Sequence, residues 1–131
     1  MKALDTNVVV RFLVGDDQAQ AQKVYSLFKE AEKNKQEFYI SILVVLEVIW
    51  VMESVYQIKR KALLAAISDL TQMSIFKFEY HESIRSFILY AQTSHYDLSD
   101  LLIAHCADEK NATPVLTFDK KASKYSLFEL I

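Results

Sequence analysis

Lys2-Ala3-Leu4-Asp5-Thr6-Asn7, running on through the apolar residues 8–14 to Gly15-Asp16-Asp17, decides how the rest of the chain is read. Lys2-Ala3-Leu4 is long enough only for the end of a buried strand, and Asp5 stands where that strand stops. In open parallel α/β sheets, ligands bind in the crevice beyond the carboxyl ends of the strands. Asp5, with the hydrogen-bonding neighbours Thr6 and Asn7, is therefore a candidate site residue. Asp is also a good helix N-cap, and on its own Asp5 is read as the cap of a helix starting at Thr6. For residues 8–14 the β-branched run Val8-Val9-Val10 argues for a strand; Thr6 and Asn7, as caps of a short helix, favour the helix.

Outward from this start, strand and helix signals alternate. Residues 18–34 are predicted helical, with Ala21, Val24, Tyr25, Phe28 and Ala31 at three- and four-residue steps along the buried face. Strands are predicted at 38–41, 75–78, 114–118 and 126–130, and helices at 43–54, 59–73, 81–94 and 99–110. Residues 120–124 read as a short helical turn. This alternation predicts an α/β fold: one domain over 1–131, with a central, mostly parallel sheet of 4–5 strands flanked by helices on both faces.

With 131 residues, 52% hydrophobic and 24% charged, the chain is long enough to bury a real core and too apolar to be disordered. The single glycine and single proline exclude several chemistries. A dinucleotide-binding turn, a phosphate-cradling P-loop and a serine-hydrolase nucleophile elbow all need more glycines. A formal net charge of -2 gives no bulk attraction for nucleic acid, so any such contact must come from local groups or metal ions. The lone Cys106 fits a reducing compartment. The first apolar stretch follows an acid and the longest one carries Glu47, so neither a secretory signal nor a membrane span is expected, and a cytoplasmic location is.

The acids carry the chemistry. Glu47 stands among Ile42-Leu43-Val44-Val45-Leu46 and Val48-Ile49-Trp50-Val51-Met52. A glutamate buried there needs a partner, a proton or a cation, because an unpaired charge costs several kcal/mol to bury. Asp97 and Asp100 open the helix at 99–110 and are explained at least in part by capping. Asp119 follows the strand at 114–118 and is read as a cap of the next turn. Acids recurring at strand ends and helix starts share a crevice if the strands are parallel. Clustered carboxylates repel, and a hard cation such as Mg²⁺ or Mn²⁺ relieves the repulsion. Metal-held carboxylates perform phosphodiester hydrolysis without a cysteine, histidine or glycine motif. His81, His95 and His105 have no zinc spacing with one another or with Cys106, and His105-Cys106 is read as packing.

Four segments in order, Leu4-Asp5-Thr6-Asn7-Val8, Val45-Leu46-Glu47-Val48-Ile49-Trp50, Asp97-Leu98-Ser99-Asp100-Leu101-Leu102-Ile103-Ala104 and Leu116-Thr117-Phe118-Asp119-Lys120-Lys121, resemble the PIN-domain ribonucleases. Within that family they are similar to the VapC-like toxins of toxin–antitoxin pairs. The resemblance covers essentially the whole chain. It implies a Mg²⁺- or Mn²⁺-dependent endoribonuclease with Asp5, Glu47, Asp100 and Asp119 as catalytic acids. Asp97 joins them as a fifth metal-site member. Thr6, Asn7 and Thr117 would orient carboxylates or water, and Arg11, Lys120 and Lys121 are candidates for RNA contact. Implied partners are the RNA substrate, a VapB-like antitoxin and a second copy in a homodimer. The nearly all-apolar stretch 44–52 suits such an interface. Two other readings compete: a catalytically silent PIN-like domain that binds RNA or protein, and a metal-dependent phosphatase. Asp5-Thr6-Asn7 lacks the second acid that haloacid-type phosphatases carry at the first strand, which ranks the phosphatase last.

Overall fold

A computed structural model describes all 131 residues, and they form two compact units, Met1–Glu79 and Tyr80–Ile131. In the first unit, β1 (Lys2–Ala3), β2 (Phe38–Ile40) and β3 (Phe76–Phe78) form a parallel sheet in the order β1-β2-β3. Helices α1 (Thr6–Leu13) and α2 (Gln18–Lys33) connect β1 to β2, and α3 (Ile42–Ser54) and α4 (Arg60–Thr71) connect β2 to β3. Helical crossovers are what parallel neighbours require. Lys2 pairs with Phe38, and Phe38 with Phe76. That register places Phe38 and Phe76 beside Phe28 of α2, whose ring lies 5.6 Å and 5.1 Å from theirs; Phe12 of α1 meets Phe28 edge-on at 5.0 Å.

The second unit contains α5 (His81–Ala91), α6 (Leu98–Glu109), β4 (Val115–Thr117), a 3₁₀ turn (Ala122–Lys124) and β5 (Phe128–Leu130), with β4 and β5 paired in parallel. Ser83, near the start of α5, donates to Glu109 Oε1 at the end of α6 at 2.8 Å, so the two helices run antiparallel. Ala104, Ala122 and Phe128 pack together, with Val115, Tyr125 and Leu127 against them.

The α/β reading holds: all predicted strands are present, every pairing is parallel, and helices intervene where periodicity places them. Each strand is three residues or shorter, and the ladders divide into a three-stranded and a two-stranded sheet. Helix prevails over β-branching at residues 8–14, which are helical to Leu13, but the cap is Asp5, and Thr6 and Asn7 are the first helical residues rather than caps.

Three burial expectations are corrected. Of the first strand only Leu4 is buried; Lys2 and Ala3 are exposed, as befits the end of the three-stranded ladder. Tyr25 is exposed, set edge-on against Phe12 with centroids 5.7 Å apart. Glu47 is exposed as well. Helix α3 buries Val45, Val48, Ile49 and Met52 and turns Leu43, Glu47 and Trp50 outward. At 3.6 residues per turn, 43, 47 and 50 fall in one stripe. Two apolar residues in that stripe disguise an amphipathic helix as a wholly buried one.

Candidate active site

In the first unit the candidate residues meet through Thr6. Leu4 ends the strand with its N–H on the Tyr39 carbonyl at 3.0 Å. Asp5 then adopts extended geometry as the N-cap of α1, and its Oδ1 accepts from the Thr6 N–H at 2.8 Å. The buried Thr6 hydroxyl donates to Glu47 Oε1 at 3.1 Å. One residue thus holds the carboxylates of a strand end and of a helix 41 positions away in sequence. Helix α3 is itself fixed at its start, where Ser41 Oγ accepts from the Val44 N–H at 3.2 Å and Glu79 Oε1 from the Ile42 N–H at 2.9 Å. An acid at a helix N-terminus also meets the positive end of the dipole. Asn7 stands exposed on the first turn of α1.

Arg11, a candidate for RNA contact, is half-buried among partners of its own. Its Nε donates to Gln20 Oε1 at 2.7 Å, and its Nη1 to Asp16 Oδ1 at 3.2 Å and to the Tyr56 hydroxyl at 3.1 Å. Tyr56 donates in turn to Asp16 Oδ2 at 2.9 Å. The Tyr56 hydrogen bond, followed by the Asp16 charge, holds the guanidinium pKa above its ordinary value. Sequence reasoning missed Tyr56 and Glu79, because both act across tertiary contacts that carry no local signal.

In the second unit Asp97 is the N-cap of α6, and its Oδ1 accepts from the Asp100 N–H at 3.1 Å. Both bland readings hold together: Asp97 caps, and Asp100 occupies the first turn. Asp100 is half-buried, and its carboxyl is pushed above the usual range, first by burial and then by the charges of Asp97 and Asp119. Asp97 and Asp119 therefore both lie within electrostatic reach of Asp100. Asp119 follows β4. Its N–H donates to Thr117 Oγ1 at 3.0 Å, and its Oδ1 accepts from the Lys121 and Ala122 N–H groups at 2.9 and 3.1 Å. Lys120 and Lys121 are exposed. His105 is buried, hydrogen-bonded through Nε2 to the Tyr125 hydroxyl at 2.7 Å and stacked on Tyr90, in keeping with packing rather than ligation.

No group of three or more acidic, histidine or cysteine side chains has the spacing of a metal cage. The sequence-predicted acids instead fall into Asp5 with Glu47 and Asp97 with Asp100 and Asp119. That donor chemistry still fits Mg²⁺, which keeps several of its waters and binds through one or two carboxylates together with substrate phosphates. A divalent charge would also relieve the like-charge pressure on Asp100.

Residues 2–126 match the family model described as PIN domain. The chain is 22% identical to a VapC ribonuclease of Aquifex aeolicus (strain VF5) over 124 residues, covering 95% of this chain and 91% of that protein. The match runs through both units and takes in every acid described above, and this chain accordingly belongs to the PIN-domain family.

Proposed function

We propose that the protein is a metal-dependent endoribonuclease that acts as the toxin of a toxin–antitoxin pair. The observation that carries this reading is the gathering of Asp97 and Asp119 around the half-buried Asp100, whose carboxyl is pushed above its usual range by burial and by those two charges, a pressure that a bound cation relieves. Family membership and similarity to a VapC ribonuclease support it.

In this reading Asp5, Glu47, Asp100 and Asp119 are the catalytic acids, and Asp97 is the fifth member of the metal site. These acids would hold Mg²⁺ or Mn²⁺, which would supply Lewis-acid polarisation of a phosphoryl oxygen and activation of water. The chain's own residues orient. Thr6 fixes the Glu47 carboxylate, and the Asp97 cap fixes the first turn of α6, which carries Asp100. Thr117 and the N–H groups of Lys121 and Ala122 fix Asp119. Asn7, beside Asp5 and Thr6, orients water or a carboxylate. Lys120 and Lys121 meet phosphates, and Arg11 does so with whatever part of its guanidinium the Asp16 pair leaves uncovered. A VapB-like antitoxin, a homodimer and a cytoplasmic location complete the proposal. No helix is long and apolar enough to cross a membrane.

The test is cleavage of a mixed pool of structured RNAs with Mg²⁺, with Mn²⁺ and with EDTA. Metal-dependent cutting that Asp5→Asn/Asp100→Asn loses is the expected result; cutting that survives the double substitution overturns the assignment. A PIN-like domain that binds RNA without cutting it is the second reading, favoured by the absence of a three-ligand cage. Folded wild-type protein that binds the pool and cuts nothing under either metal is its signature.

A further inference from the structure

Phe118 is 81% exposed, more than any other large hydrophobic side chain of the protein. It separates Thr117, the end of β4, from Asp119, and the turn that follows is stiff. Asp119 Oδ1 accepts from the Lys121 and Ala122 N–H groups, the Asp119 carbonyl accepts from the Ser123 N–H at 3.0 Å, and Ser123 Oγ donates to the Lys120 carbonyl at 2.7 Å. On the other side, the Asp119 N–H is held by Thr117 Oγ1. An aromatic ring with two side-chain torsions, mounted on a braced turn, orders at little entropic cost when something binds it.

Two classes of occupant compete for such a ring. An apolar protein surface closing over Phe118 would also have to strip water from Asp119, Lys120 and Lys121, all exposed and within three positions of it. Charged residues are depleted from interface cores for that reason. A single-stranded nucleotide brings the matching chemistry in one unit: a base with a π face, and phosphates for two lysines. We propose that Phe118 is a stacking platform for an unpaired RNA base, with Lys120 and Lys121 holding the adjoining phosphates, so that the strand is seated next to Asp119. This inference rests on the ribonuclease reading and adds to it a substrate-positioning residue. Base–aromatic stacking is tolerant of sequence, so the platform positions the strand and does not select the base.

The experiment measures binding of a fluorescent, single-stranded, mixed-sequence oligoribonucleotide in EDTA across a salt series. Wild type is compared with Phe118→Ala, Phe118→Tyr and Lys120→Ala/Lys121→Ala, with light scattering on each. Phe118→Ala should weaken binding by roughly five- to a hundredfold with the salt slope intact, and Phe118→Tyr should restore it. The double lysine variant should instead flatten the slope, by about 0.7 for each phosphate no longer neutralised. Unchanged affinity in Phe118→Ala overturns the proposal, as does a change in oligomeric state without a change in RNA affinity, which assigns the ring to a protein interface. Wild type that binds no RNA overturns it too. Cleavage under Mg²⁺ or Mn²⁺, measured in parallel, separates the two readings. Wild type that binds through Phe118 and never cuts removes the ribonuclease and leaves the platform standing.

Discussion

The buried Thr6 hydroxyl donates to Glu47 Oε1 at 3.1 Å while the same residue's N–H donates to Asp5 Oδ1 at 2.8 Å. The threonine is a bracket between two carboxylates, one at a strand end and one on the exposed stripe of α3. Thr6→Val keeps the shape and removes the hydroxyl. Because Glu47 is exposed and regains water, the fold should lose only about 0.5–1.5 kcal/mol by urea unfolding. Cleavage should fall roughly 10- to 100-fold, the usual effect of removing a group that orients a site carboxylate, and Thr6→Ser should recover most of it. Wild-type cleavage by a folded Thr6→Val protein would show that the bracket holds the fold alone.

Asp100 presents the opposite balance. Burial, then Asp97 and Asp119, raise its carboxyl above the ordinary value, so the folded state holds that proton more tightly than the unfolded chain does. The folded-state pKa being the higher one, the ionised group opposes folding at pH 7, and the opposition fades as pH falls through that value. Asp100→Asn should therefore raise the melting temperature at pH 7, lose that advantage in acid, and abolish metal-dependent cleavage. A site that costs stability is expected where function requires it. A lower melting temperature for Asp100→Asn at pH 7 would sink this account and mark the acid as structural.

Asp97 has two jobs that substitution can separate. Its Oδ1 caps α6 by accepting from the Asp100 N–H, and an asparagine oxygen can do the same. Asp97→Asn should unfold at nearly the wild-type midpoint, whereas Asp97→Ala should lose about 1 kcal/mol. If the carboxylate also serves a cation, Asp97→Asn should still need more Mg²⁺ to reach half-maximal cleavage. A metal titration superimposable on wild type would reduce Asp97 to its cap.

These pairs of roles explain how far the sequence could be read. Helix α2 was legible because Ala21, Val24, Phe28 and Ala31 repeat at helical spacing, and the start of α1 because Asp5 is a cap that the backbone uses. Asp97 and Asp119 were legible as caps, since a cap is a local hydrogen bond. Glu47 was misread as buried. Leu43 and Trp50 share its outward stripe, and periodicity cannot tell an apolar residue left in water from one in the core. The Thr6–Glu47 bond, the Glu79 cap on α3 and the Arg11–Tyr56 contact were out of reach, because each joins residues brought together only by the tertiary fold. Phe118 passed unnoticed for the reverse reason: an aromatic at the end of a strand reads as core until its exposure is known.

His105 gives the protein a stability that depends on pH without any part in the chemistry. Its ring is buried, stacked on Tyr90 at 5.2 Å and hydrogen-bonded to the Tyr125 hydroxyl. Burial depresses its pKa below the ordinary 6.5, and the charge of Asp108 offsets this only in part. The unfolded chain therefore binds the proton more readily. Above pH 6.5 both states are neutral at this residue and it carries no penalty. As pH falls below 6.5 the unfolded state alone takes up the proton, and stability declines until the lower folded-state pKa is reached. Melting temperatures between pH 8 and pH 5 should show this decline, and His105→Gln should flatten it while lowering stability at pH 8, because the stacking on Tyr90 is gone. Tyr125→Phe removes the hydroxyl partner and should cost about 1 kcal/mol at pH 8, where the ring is neutral. If His105→Gln keeps the wild-type slope over that range, the acid sensitivity belongs to other groups.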